Sequence, residues 1–232
     1  MPDLDFVVEG AEVALHSVSP LLLFKLRVTN TKAPNASNAS NTHDEIASLA
    51  LHCQIQIEAT RRRYEPVDQA RLTELFGVPQ RWSQTLRTLL WTHANAAVPS
   101  FTDTCTVDLP VPCTFDFNVA AAKYFDALGD GEIPLMLQFS GTIFYRESDG
   151  ALQVARVPWH KEAAFRLPVA TWRAMRDYYY PNSAWMCVRR GVFERLERYR
   201  IERGLTGWDE ALTALMDEAG IEQAWPAQGG LQ

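Results

Sequence analysis

The sequence holds 232 residues and 26.2 kDa, enough for one large domain or two small ones with a core that needs no disulfide or metal staple. With 47% hydrophobic and 22% charged side chains it is not a disordered or collagen-like chain, and no run of about 18 apolar residues marks a membrane span. The formal net charge of −6 resides in residues 1–165, where 13 Lys and Arg face 19 Asp and Glu; residues 166–232 hold nine of each, so neither part has the basic excess that nucleic acid requires.

The first half reads as strands. Leu4–Val8 and Val13–His16 are short, and Leu21–Thr29 follows. In the last, Phe24, Leu26 and Val28 face one way and Lys25, Arg27 and Thr29 the other, the period of a half-buried antiparallel strand. Thr31–His43, rich in Asn, Ala and Ser, reads as a loop. Ile46–Glu58 puts Leu51, Cys53, Ile55 and Ile57 on one face and His52, Gln54, Gln56 and Glu58 on the other. The period then changes. Pro66–Phe76 reads as a helix stopped by Gly77, and Pro79–Leu90 as a second helix with a stripe of Trp82, Leu86, Leu89 and Leu90.

Strands resume at Thr92–Val98 and Cys105–Leu109, and Pro110-Val111-Pro112 places that segment at an edge or crossover. Val119–Leu128 reads as a helix ended by Gly129-Asp130-Gly131. Ile133–Tyr145 is a long strand with a bulge expected at Gly141. Ser148-Asp149-Gly150 turns into Leu152–Val157, and Ala163–Leu167 is the last strand. Pro168 opens a helix through Tyr178, Ala184–Arg189 is extended, Gly191–Arg203 and Trp208–Asp217 are helices, and the tail frays from Ala224. The spacing predicts a mainly β protein with added α: an antiparallel β-sandwich over 1–167 carrying a helical insertion at about 66–91. A C-terminal segment over 168–232 (helix, strand, two helices) is expected to pack on it.

The four cysteines form no CxxC pair and read as free buried thiols. The acidic start Met1-Pro2-Asp3-Leu4-Asp5 lacks the basic region of a signal peptide, so the expected compartment is the cytoplasm. His52, His93, His160, Cys53, Cys105 and Cys113 show no HxxxH or HExxH spacing; His52 and Cys53, adjacent in a strand, point to opposite faces. No metal and no cofactor is expected. Asp108 and Asp116, the nearest thing to a carboxylate pair, read as turn caps. Ser140-Gly141 lies in a strand rather than at a strand–turn–helix elbow, and GxGxxG and GxxxxGK[ST] are absent. No catalytic residue is assigned.

Two weaker clusters stand out. Arg61, Arg62 and Arg63, with Arg81 and Arg87, form a candidate site for an anion or an acidic partner segment, against nearby Glu58, Glu65 and Glu74. Trp172, Tyr178, Tyr179, Tyr180 and Trp185 form a dense aromatic group and a candidate interface, because tyrosine offers area with a polar tip. The run 184–219 is similar to a ribbon–helix–helix unit. Trp185, Cys187 and Arg189 would be its outward strand residues, a poor reader of bases, and six basic side chains meet seven acidic ones. The preferred reading is that this strand joins the chain's own sheet; pairing of two chains in a homodimer is the alternative.

Several stretches resemble an uncharacterised bacterial family known only as a domain of unknown function. They are Leu89-Leu90-Trp91-Thr92-His93, Leu109-Pro110-Val111-Pro112-Cys113-Thr114-Phe115-Asp116-Phe117-Asn118, Lys123-Tyr124-Phe125, Phe139-Ser140-Gly141-Thr142-Ile143-Phe144-Tyr145, Pro158-Trp159 and Tyr179-Tyr180-Pro181-Asn182. The resemblance spans about Leu4 to Met216 and is associated with gene clusters for nickel–iron uptake hydrogenases. It implies a non-enzymatic accessory or assembly protein that binds a partner protein, such as a hydrogenase subunit or maturation factor, and it transfers no catalytic residue. A small anionic-ligand-binding module is the alternative, and an enzyme of unrecognised type a further one.

Overall fold

A computed structural model describes residues 2–31, 45–114, 119–147 and 149–221. Expectations for residues 32–43, Asp116, Ser148 and the tail from Ala224 lie outside them.

The chain begins with β1 (Leu4–Val13), a single strand where two were expected; His16 lies beyond its end with φ 71°. Leu4, Phe6 and Val8 are buried in alternation before a register shift at Val8/Gly10. β2 (Leu21–Asn30) follows the predicted period, with Leu22, Phe24, Leu26 and Val28 fully buried. Each such side chain contributes about 2 kcal/mol by leaving water. β2 pairs with β1 and with β5 (Thr104–Pro112), an antiparallel three-stranded sheet in which β5 is an edge strand, as its prolines favour.

The second sheet is built on β3 (Glu45–Ile57) and β6 (Glu132–Arg146), with β4 (Leu89–Val98) at one side. Along the far side of β6 run two short strands in succession, β7 (Leu152–Arg156) and β8 (Glu162–Pro168). All pairings are antiparallel. The two sheets meet through aromatic side chains: Phe6 stacks on Phe139 at 4.4 Å, and Phe24 meets Phe165 at 5.3 Å and Trp91 at 6.1 Å. Gly141 is not a bulge, since β3 and β6 stay in register from Ser48/Phe144 to Ile57/Leu135. Glycine is required there because φ is +155° and a Cβ would lie 2.2 Å from the Ala50 carbonyl oxygen.

The helical insertion is shorter and more broken than its sequence period implies. Pro66–Phe76 divides at Leu72 into α1 (Pro66–Arg71) and α2 (Thr73–Phe76), and Gly77 stops it with φ +72°. The second predicted helix shrinks to α3 (Trp82–Thr85) after a 3₁₀ turn, Pro79–Arg81. Leu89 and Leu90 already belong to β4, opposite Ile57 and Gln56 of β3. Cross-strand pairing wins over a short amphipathic stripe. Arg62 anchors this insertion: its guanidinium donates to the carbonyls of Glu132 and Asp130 and lies 3.5 Å from buried Asp68, which also accepts from the Gly129 amide at 2.9 Å.

α4 (Val119–Ala127) and α5 (Val169–Tyr179) close the sandwich. Trp172 of α5 packs on Phe125 at 4.4 Å and donates from Nε1 to Asp126 Oδ1 at 2.9 Å. Arg173 donates to the Leu128 carbonyl, Arg176 pairs with Asp126, and the Tyr179 hydroxyl donates to the Ala14 carbonyl. These contacts tie α5 to the sandwich, and contacts within the chain cluster into one unit through Ser183 and a second from Ala184.

In the second unit Ala184–Arg189 forms no strand, so it does not join the chain's own sheet as expected. α6 (Arg190–Glu202) ends at Gly204, φ +65°, where the Leu205 amide reaches back to the Arg200 carbonyl. α7 (Trp208–Glu218) starts with Glu210 accepting from the Thr206 amide and hydroxyl, bonds that hold its carboxyl below the ordinary value. Among the described residues no helix is long and apolar enough to cross a membrane.

Candidate functional site

The members of the predicted arginine cluster differ in their surroundings. Arg62 is consumed by the loop carbonyls and Asp68, and Arg61 pairs with Glu58 at 3.1 Å. Arg63, Arg81 and Arg87 are exposed. Asp108, the described half of the carboxylate pair, bonds Lys25 at 2.7 Å across the β2–β5 ladder. The aromatic group also divides. Trp172 is a core side chain, 2% exposed, rather than an interface residue. Tyr179 is half-buried against the core, Tyr178 is exposed at its side with ring centres 5.0 Å apart, Tyr180 is half-buried, and Trp185 belongs to the second unit.

The thiols are sorted by burial. Cys53 and Cys113 are buried, and loss of water pushes both up to about 12; Cys105 is half-buried. Cys187 is exposed, against the expectation of four buried thiols. Among the described residues no group of three or more His, Cys, Asp and Glu is placed to hold a metal. A cavity of about 500 Å³ opens beside β4, lined by Trp91, Thr92, His93, Cys113 and Trp172 and mostly apolar.

The second unit shows where apolar surface is left uncovered. Its helices touch through Phe193 and Trp208, ring centres 5.1 Å apart, with Arg200 over the Trp208 ring at 5.1 Å. An ion pair, Arg203–Glu218 at 2.6 Å, closes its far end. Yet among its described residues only Ala211 is a buried hydrophobic residue. Met186 and Ile201 are 64% and 63% exposed, and Val192, Phe193, Trp208, Met216 and Ile221 are also exposed. Two helices of this size enclose little core of their own.

A second surface was not recognised in the sequence. On the outer face of the five-stranded sheet, the β3 side chains His52, Gln54 and Gln56 stand beside β4 and β6 neighbours of the same kind. His52 is opposite Asn95 and Ser140, and Gln54 opposite His93 and Gln138. His52 Nδ1 and Asn95 Oδ1 are 2.7 Å apart, His93 Nε2 and Gln54 Oε1 3.3 Å, and the Gln54 and Gln56 amides each donate to Gln138 Oε1 at 3.2 Å. The β7–β8 turn, Pro158-Trp159-His160-Lys161, crosses beside Ser140, held by Val157 to Gly141 and Phe139 to Lys161 backbone bonds. Lys161 pairs with Asp3 at 2.7 Å and keeps that carboxyl below its ordinary value. Trp159, 91% exposed, completes a concavity of about 580 Å³ over this face. The alternation of β3 places His52, Gln54 and Gln56 on one face; only the register adds Asn95, His93, Gln138 and Trp159 to them.

Fold and surfaces define an antiparallel β-sandwich protein with helical additions and a small C-terminal helical unit. The chain belongs to a family of unknown function, DUF6084, whose model matches residues 1–224. Comparison with curated proteins found no match. Among solved structures, the chain is similar to a crystallised protein described as ApaA from Bordetella pertussis, at 12% identity over 72% of this chain and 93% of that one, with a TM-score of 0.22. A likeness at that score carries no argument here.

Proposed function

We propose that this protein is a non-enzymatic accessory or assembly factor whose C-terminal helical unit docks on a partner protein. The observation that supports this is the number of exposed apolar side chains in that unit, Met186 and Ile201 among them, against a single buried hydrophobic residue, Ala211, among its described residues. Burial of two or three such side chains in an interface supplies several kcal/mol. The family resemblance directs the reading toward nickel–iron hydrogenase maturation, with a hydrogenase subunit or maturation factor as the partner, and toward a cytoplasmic setting. A second copy of the chain is the other partner considered, since α6 carries four arginines beside three glutamates and α7 four carboxylates with no basic residue, so charges of opposite sign are available to a two-fold contact.

The test is capture of purified hydrogenase subunits and maturation factors on the immobilised full chain, beside a Met186→Glu/Ile201→Glu variant. Retention by the native chain and loss by the variant is the expected outcome. Retention of none, or equal retention by both, contradicts the reading. The anionic-ligand alternative rests on Arg63, Arg81 and Arg87, and flat titrations with phosphate-bearing metabolites exclude it.

A further inference from the structure

Part of the outer face of the five-stranded sheet is a patch of uncharged polar side chains. Two adjacent rows cross it. One runs Asn95, His52, Ser140 toward Trp159; the other runs His93, Gln54, Gln138. The groups in these rows are amides, a hydroxyl and imidazoles, side chains that offer both donors and acceptors. Charge flanks the rows, with Glu162 opposite Gln138 and Arg156 opposite Thr142. An indole 91% exposed is an expensive thing to leave in water unless its face has a use. Here the turn that carries it is fixed at both ends by backbone bonds and by Lys161 to Asp3, which sets Trp159 at the margin of the polar rows and in the lining of their concavity.

We infer that this face binds a neutral polyhydroxylated ligand, an oligosaccharide, with Trp159 stacked on the C–H face of one sugar ring and the Gln and His rows bonding the hydroxyls of the next. The chemistry selects this class. Vicinal hydroxyls are met by adjacent groups that donate and accept, and the Gln54–Gln138 and His52–Asn95 pairs set such head groups side by side across neighbouring strands. The concavity, about 580 Å³, is of ligand-site size. A nucleotide would also stack on the indole, but its phosphates would meet no lysine or arginine within the rows and a net charge of −6 overall. The side chains now bond one another, so the site is pre-ordered, and a ligand exchanges those bonds for its own.

The test is calorimetric titration of the full chain with four neutral hexasaccharides: maltohexaose, cellohexaose, xylohexaose and chitohexaose. The expected result is that at least one binds with a blue shift of tryptophan emission. Trp159→Ala weakens it at least about tenfold and Gln138→Ala several-fold, while both variants keep the native melting temperature. Trp159→Phe retains most of the binding. Flat titrations for all four to about 5 mM overturn the inference. So does binding that Trp159→Ala leaves unchanged, or Trp159-dependent binding of adenosine monophosphate with none of the sugars.

Discussion

Arg62 carries more structure than its neighbours in the run Arg61-Arg62-Arg63. Its side chain is 12% exposed and holds the Asp130 and Glu132 carbonyls beside the buried Asp68 carboxylate. Arg62→Ala is expected to cost about 3 kcal/mol in urea unfolding, because it strands a buried charge. Arg62→Lys is expected to recover less than half of that, since one ammonium does not reproduce a fork over two carbonyls. Gly141→Ala drives a methyl into the Ala50 carbonyl oxygen at 2.2 Å and is expected to cost at least about 2 kcal/mol by the same measurement. The thiols set an alkaline limit. Cys53 and Cys113 keep their protons up to about 12, against 9.0 for the ordinary thiol, so unfolding above pH 9 releases protons and is favoured as pH rises. Stability is expected to be level through neutral pH and to fall between pH 9 and 12. Iodoacetamide at pH 8 is expected to label Cys187 in the native chain and Cys53 and Cys113 only after unfolding. At this scale the inward residues of β2 and β3 were readable, because one wet face forces alternation. The roles of Arg62 and Trp159 were not, since both depend on partners about 70 or 20 residues away in sequence, respectively.

Elements were legible in proportion to their length. β2, β3 and β6 each carry enough alternation to fix both period and face, and α5 and α6 have enough turns to show a stripe. Pro79–Leu90 misled because Trp82, Leu86 and Leu89 fall at helical spacing, while the ladder with Ile57 and Gln56 takes Leu89 and Leu90 into β4. Ala184–Arg189 misled in the other direction: its alternation suits a strand, yet among the described residues it pairs with none. The uncovered helical unit carries a prediction of its own. Ile201→Glu is expected to leave the unfolding midpoint of the sandwich within about 0.5 kcal/mol, as a substitution at an exposed position does, while removing partner binding.

For the whole molecule, the sequence boundary at 167/168 falls inside a compact unit that runs to Ser183, because α5 is bonded to α4, to the Leu128 carbonyl and to Ala14. A chain ended at Ser183 is expected to unfold in one cooperative step at nearly the native midpoint by circular dichroism; a shift down by more than about 2 kcal/mol would show that the helical unit supports the sandwich. The polar face of the larger sheet is a property of the assembled register, so no single strand announced it. The two surfaces differ in kind: one is apolar and C-terminal, the other uncharged, polar and on the sandwich.

The most direct measurement of the partner-binding account is surface binding of purified nickel–iron hydrogenase subunits and maturation factors to the full chain and to its Met186→Glu/Ile201→Glu variant. The account predicts saturable binding of at least one of them to the native chain and a loss of at least about a hundredfold in the variant. Saturable binding that the variant preserves, or no binding to either chain, would contradict it.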